Sequence, residues 1–271
     1  MANTAIITIL GCGGSGGVPL ATGYWGACDP RNIKNCRMRA SIAIQTEQDC
    51  IVIDTGPEFR QQTLKYNLNR IDTILYTHAH SDHINGIDDI RYVKLRQRLE
   101  TGEEQPVFPI YADKISMTDI KRRYSHLFTY SPDGLYRPEI EDRIIPDDCT
   151  ELLINDRLRF KPFVQGHGSG ISLGYRIGDL AYSTDVSSLD DKAFEAIDGI
   201  KTWIVDCGQY GFESSTVHPN LERVLEWQNR VRAEKVYLTH LTPRADYNVL
   251  LNETDDNIEP CYDGMQITAT L

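Results

Sequence analysis

The chain has 271 residues, of which 41% are apolar and 25% charged, and a formal net charge of −11. That length buries a sizeable core, in one large α/β domain or two small ones, while the acidic balance argues against a protein that grips a nucleic-acid backbone, which needs a basic footprint. Seven cysteines, scattered and odd in number, fit reduced thiols in a cytoplasmic protein better than a secreted disulfide scaffold.

Residues 6–10 read as an opening strand. The apolar run 5–10 is too short to span a membrane and has no basic residues before it, so neither a membrane span nor a signal peptide is expected. The chain then enters the glycine-dense stretch 11–19, where backbone can pass close to a ligand or another segment. No amphipathic helix follows, which favours a tight turn over a phosphate cradle. Residues 21–39 form a loop with Cys28 and Cys36, read as two free cysteines because a zinc knuckle needs four ligands at close spacing. A β-hairpin is expected over 40–46 and 50–54, and Pro57 suits the first turn of a helix over 58–66. Asp54, at the strand end, is either an N-cap or a carboxylate holding a metal-binding histidine.

The β-branched run 71–76 reads as a buried strand, and it delivers Thr77-His78-Ala79-His80-Ser81-Asp82-His83 at its end. Three imidazoles and a carboxylate within six residues suit zinc or another borderline divalent ion. A helix is expected over 84–98, then a polar loop over 101–105, a strand over 107–111 and a helix over 114–128. Residues 129–143 look like a long connection and a natural active-site lid, with Tyr130, Tyr136 and Arg137 as residues that could reach substrate. Strands follow at 152–154, 159–164, 172–177 and 180–183, the last two joined by the hairpin signal Gly178-Asp179. They end at His167 and at Ser183-Thr184-Asp185. A helix over 189–197, a strand over 202–205, a helix over 221–231 behind His218, a strand over 235–238 ending at His240, and a closing strand over 266–270 complete the pattern. His126 is assigned no role.

Strand ends carrying His78, His80, Asp82, His83, His167, Asp185 and His240 in that order resemble the metallo-β-lactamase superfamily, in its H-x-H-x-D-H dinuclear hydrolase branch. The resemblance covers nearly the whole chain. It implies one domain over 1–271 with a four-layer αβ/βα sandwich, two mixed β-sheets flanked by helices. It also implies two divalent ions, zinc or manganese. His78, His80 and His167 correspond to the ligands of one, Asp82, His83 and His240 to those of the other, and Asp185 to the bridge. The opening G-C-G-x-S-x-G-V-P, Gly174-Tyr175-Arg176, Tyr182-Ser183-Thr184-Asp185, the His218 segment and Tyr262-Asp263-Gly264-Met265 are similar to the phosphoribosyl cyclic phosphodiesterase group. In that group a histidine before a helix assists at the phosphate, the place of His218. The chain departs from it at a structural zinc: Cys28 and Cys36 lie eight apart, and Pro243 stands where the group has a histidine.

What this implies is attack of hydroxide, generated at the metals, on a small cyclic phosphate or phosphoribosyl-type phosphodiester, with Asp82 and His218 as catalytic residues. Thioester or lactone hydrolysis, as in glyoxalase II or lactonase relatives, is the alternative on the same scaffold. A tRNA-processing nuclease would need a gripping arm and a basic surface, neither of which is evident. The expected partner is therefore a small phosphorylated substrate, with no membrane and no nucleic-acid polymer, and with room for a homodimer.

Overall fold

A computed structural model describes residues 4–102, 107–213 and 216–271. The expected loop beyond Gly102 and residue Ser215 ahead of His218 lie outside the described residues. Fourteen strands among them form two seven-stranded sheets. The first has the order β14 (Gln266–Thr270), β1 (Thr4–Gly11), β2 (Ser41–Gln45), β3 (Cys50–Ile53), β4 (Thr73–Leu75), β5 (Phe108–Asp113), β6 (Ile140–Ile145). The second runs β13 (Ile258–Pro260), β12 (Lys235–Thr239), β11 (Thr202–Asp206), β10 (Leu180–Ser183), β9 (Gly170–Ile177), β8 (Leu158–His167), β7 (Leu152–Ile154). Both sheets are mixed: β3 to β6 and β10 to β13 pair in parallel, and the rest antiparallel.

Alternation along the strands divides the apolar residues into three layers of core. Ile7, Ile42, Ile51, Phe160, Tyr175 and Ile204 fill the space between the sheets. The outer face of the first sheet packs Val52, Ile74 and Ile110 against α1 (Phe59–Lys65), α3 (Ile90–Thr101) and α4 (Lys114–Arg123). The outer face of the second packs Trp203, Val205 and Leu238 against α5 (Asp191–Ala196), α6 (Leu221–Val231) and α7 (Tyr247–Asn252). This is the expected αβ/βα sandwich. None of these helices is long and apolar enough to cross a membrane.

Several elements differ from the sequence reading. The stretch expected as an unbroken lid over 129–143 ends in β6, which pairs in parallel with β5 from Phe108↔Ile140 to Asp113↔Ile145. As an edge strand, β6 exposes Glu141, Arg143 and Ile144, so its sequence lacks a clear two-residue alternation. Tyr130 and Tyr136 are 69% and 70% exposed. The helix over 58–66 begins at Phe59, because Pro57 and Glu58 form a turn and the Glu58 carboxylate pairs with Arg39. The helix expected over 84–98 is broken into α2 (Ser81–Ile84), a 3₁₀ turn at Ile87–Asp89, and α3. Gly86 sits at the break, where a Cβ would lie 2.3 Å from Gly56 O and 2.5 Å from Phe59 Cβ. Helix α7 and strand β13 were not expected from the sequence; both are short.

Parallel strands β3, β4, β10, β11 and β12 end on one edge of the sandwich, the edge where open α/β sheets present chemistry. Tyr175 Oη donates to Tyr76 O at 2.7 Å and Leu173 N to Thr77 O at 2.8 Å, so the two sheets are stitched together beside that edge.

Candidate metal centre

Every histidine and aspartate singled out at a strand end is brought to this edge. His78 follows β4, and His80 is the N-cap of α2, whose first residues carry Asp82 and His83. His167 ends β8, Asp185 follows β10, and His240 follows β12. Asp54, Asp185 and His240 adopt left-handed backbone, with φ of 65°, 52° and 57°. That conformation costs an ordinary residue about 1–2 kcal/mol, so the surrounding packing is holding these side chains in place.

Asp185 lies between two groups of ring nitrogens and faces each with a different oxygen. Its Oδ1 is 3.5 Å from His167 Nε2 and 3.9 Å from His78 Nε2. His80 Nδ1 completes that group, 3.3 Å from His167 Nε2. Its Oδ2 is 3.0 Å from His83 Nε2 and 3.3 Å from His240 Nε2. Asp82 Oδ2 closes the second group, 3.3 Å from His83 Nε2 and 3.8 Å from His240 Nε2. A tetrahedral ion with ligands at about 2.0–2.2 Å sets those ligands about 3.3–3.6 Å apart, and the observed separations bracket that value. The Nε2 atoms of His78, His83 and His240 are buried and make no hydrogen bond. Ring nitrogens buried without a partner are costly unless a cation takes their lone pairs, so both clusters fit divalent ions.

The opposite ring nitrogens are held by the protein. His83 Nδ1 donates to Asp54 Oδ2 at 2.8 Å, and Asp54 in turn accepts from Thr77 N at 2.9 Å and Thr77 Oγ1 at 2.8 Å. Of the two readings of Asp54, the structure selects the carboxylate that orients a histidine; the N-cap of α1 is Glu58. His78 Nδ1 donates to Thr77 Oγ1 at 3.0 Å, and His167 Nδ1 to Val217 O at 3.1 Å. Each arrangement fixes a tautomer with Nε2 turned to the cluster.

Electrostatics separate the two groups. Burial, and then His83, push His78 well below the usual imidazole range, and burial likewise lowers His167. Burial opposes charge on His83 as well, but Asp185 and Asp54 outweigh it and hold that ring well above the usual range. His240 reaches about 9 in the same way, through Asp185, Asp82 and Asp206. For Asp185 burial is again the opposing influence, and His240, His83 and His78 bring it well below the ordinary carboxylate range.

His218 sits beside the second cluster, its ring stacked on His240 with centroids 4.6 Å apart. Its Nδ1 donates to Asp206 Oδ2 at 2.7 Å. Asp206 is fully buried at the end of β11 and also accepts from Val186 N at 3.1 Å and Gly208 N at 2.7 Å. It therefore ties the turn after Asp185 to His218. Gly208 makes this possible, because a Cβ there would lie 3.0 Å from His240 Nδ1 and 3.1 Å from His218 Cγ. Sequence reasoning missed Asp206; the only signal was a strand ending in Val205-Asp206, the same pattern as Ser183-Thr184-Asp185. Cys28 is buried, its Sγ facing Pro243 O at 3.5 Å and Arg37 Nη1 at 3.7 Å, while Cys36 is exposed. Tyr136 and Arg137 line a separate cleft with Arg91 and Lys94, Tyr130 is exposed, and His126 pairs with Asp88 at 2.9 Å.

Residues 50–241 match the beta-lactamase superfamily domain, and they include all seven histidine and aspartate positions of the two clusters. The chain belongs to that superfamily. Its metallo-β-lactamase fold is that of a family of hydrolases, and its His/Asp clusters are able to bind metal ions. A crystal structure of a diphosphatase from the PhnP family is 27% identical, with a TM-score of 0.86 over 99% of this chain and 98% of that one. The short form of human tRNase Z, 18% identical, superposes with a TM-score of 0.66 over 97% of this chain and 98% of its own, a likeness of fold. An octanoyltransferase of Porphyromonas gingivalis is 26% identical over 265 residues. That match covers 95% of this chain but 50% of the relative, so the chain spans about half the length of the curated protein it matches.

Proposed function

We propose that the chain is a two-metal hydrolase, using zinc or manganese, that cleaves a small cyclic phosphate or phosphoribosyl-type phosphodiester. The observation that carries the reading is the Asp206–His218 pair at 2.7 Å, set against His240 at the rim of the second cluster. The likeness to the PhnP-family diphosphatase supports it. His78, His80 and His167 would hold one ion and Asp82, His83 and His240 the other, with Asp185 between them. Two divalent ions there would acidify water and neutralise phosphoryl oxygens. The residues themselves do the rest. Asp185 would serve both ions, since its two oxygens face opposite clusters, and neutral imidazoles would bind without cancelling the ions' charge. Asp82 orients water at the cluster. Asp206 fixes the direction of the His218 Nδ1–H and would stabilise the doubly protonated ring, whose Nε2–H could then donate to a phosphoryl oxygen or pass its proton to a leaving alkoxide. We also propose that the 271 residues act as one cytoplasmic unit, that its substrates are small molecules rather than nucleic-acid polymers, and that it has room to form a homodimer.

A second reading, hydrolysis of a thioester or lactone, is supported by the likeness to an octanoyltransferase, an acyl-transfer protein of which this chain spans half. One panel separates the two: bis-p-nitrophenyl phosphate, a cyclic phosphodiester and a thioester, each with added Mn²⁺ or Zn²⁺. The phosphodiester reading expects about two ions per chain by elemental analysis and turnover of the phosphodiesters above the thioester. Preference for the thioester, or full activity without metal, would overturn it.

A further inference from the structure

The outer edge of β8 is covered at both ends and open in the middle. Near its start, Phe160 pairs with Leu152 of β7. At its far end Gly166 N donates to Ser188 O at 3.0 Å and Gly166 O accepts from Ser187 N at 2.6 Å. Outward-facing backbone groups recur at every second residue, so between these anchors they belong to Pro162 and Val164. The opposite strand agrees: Leu173, the partner of Val164, sends its N–H away from β8 to Thr77 O at 2.8 Å. Pro162, which has no N–H, is tolerated in a strand only at such an outward position. The C=O of Pro162 and both backbone groups of Val164 therefore point away from the sheet, and Val164 is 42% exposed.

This open edge forms one wall of a cavity of about 470 Å³. Its apolar lining comes from Ile145 at the end of β6 and Pro146 after it, from Phe163 and Ile171, and from Ala193 and Ala196 of α5. The charge around it is unbalanced. Asp147, Asp148, Asp190 and Glu195 face it beside Asp113, against Lys161 and Lys192, and Lys161 Nζ donates to Glu195 O at 3.4 Å. From Phe160 to Gly166 the gap measures roughly 20 Å at about 3.3 Å per residue, room for a strand of about five residues.

We propose that this gap receives an extended peptide segment of another protein, added as a short strand to β8 and carrying lysine or arginine. Main-chain hydrogen bonds to Pro162 and Val164 supply the register, and alternate side chains meet either the apolar lining or the carboxylates, as in strand addition generally. Such a peptide has no need of the metal centre, so the proposal stands or falls apart from the hydrolase reading.

The test uses the full chain and a fluorescein-labelled Lys-Val-Lys-Val-Lys peptide, followed by anisotropy. Saturable binding is expected, weakened at least about tenfold by replacing the three lysines with glutamates, and lost when every peptide nitrogen is methylated. D147K/D148K, at two exposed positions, should weaken the basic peptide about tenfold while leaving phosphodiester turnover unchanged. No saturable binding up to about 1 mM, equal binding of the methylated peptide, or indifference to the charge reversal would each overturn the proposal. So would a concentration-dependent dimer that excludes the peptide, since the gap would then be filled by a second copy of the chain.

Discussion

His83 gives its Nδ1 proton to a buried carboxylate, Asp54, whereas His78 and His167 give theirs to a hydroxyl and a carbonyl. The two halves of the centre thus share Asp185 but rest on different supports. Behind Asp82, His83 and His240 stand the fully buried carboxylates of Asp54 and Asp206, and both histidines are sealed from solvent. The other half is backed by neutral groups, and His80 is exposed. An anionic partner makes an imidazole a stronger donor and fixes its orientation, typically strengthening metal affinity 10–100-fold. The difference teaches which ion should hold and which should exchange. The Asp82 half is expected to hold an ion more tightly, so graded chelation should empty the His78 half first.

The largest effect is expected from the residue the halves share. Asp185→Asn leaves one oxygen to serve two clusters, so both ions should be lost or weakened and turnover should fall on the order of a thousandfold. Elemental analysis beside kinetics checks it; a variant that keeps both ions would mean that Asp185 bridges nothing.

Next is His218→Ala, for which turnover of a phosphodiester with a poor leaving group should fall about a hundredfold or more, as for loss of a general acid. Ion content should stay the same. This sharpens the comparison, because Asp185, His218 and His240 also lie close enough to form a third candidate cluster. Loss of an ion would make His218 part of the tight half rather than a proton donor. Asp206→Asn should reproduce the kinetic loss while leaving the His218 ring in place.

Asp54→Asn tests the contrast most directly. The tight half should lose about 10–100-fold in ion affinity, while the half built on His78, His80 and His167 keeps its own. Equal weakening of both would show that Asp54 acts through Thr77, which it also holds, rather than through His83.

The sequence makes the candidate ligands legible because they sit in short local strings at strand ends: four arrive between His78 and His83, and the other three follow apolar runs. The supports are harder to see. Asp54 looks the same as an N-cap until the fold sets His83 beside it, 29 positions further along. Asp206 becomes meaningful only when β11 and β12 pair in parallel and bring Asp206 level with Thr239, one residue before His240. The edge strand β6 was hidden for a related reason. Its environment, half in water, is a tertiary fact, and residues 140–145 lack the two-residue alternation that would mark a strand, a pattern that a loop could equally carry.

The remaining effect is on stability rather than on turnover or ion content, and it concerns a half-buried carboxylate with no histidine at all. Asp263 accepts from Cys12 N at 3.0 Å and Met38 N at 2.7 Å, which fastens the glycine-rich stretch after β1 to residue 38. Burial pushes its carboxyl up to about 6, and the two backbone N–H groups only partly oppose this. An unfolded aspartate titrates near 3.9. Between roughly pH 4 and pH 6 the folded chain therefore keeps a proton that the unfolded chain releases, and stability falls as pH rises through that window, then levels off. The expected loss is on the order of 3 kcal/mol. Asp263→Asn gives up one acceptor and is less stable at acid pH, but it should lack this slope, so the two denaturation curves converge from pH 4 to pH 6.5. Curves that stay parallel would show that two backbone N–H groups and the Cys12 thiol keep this carboxylate ionised with no histidine beside it. The histidine beside Asp54 would then be there to be held by the carboxylate, and the carboxylate would not depend on it for its charge.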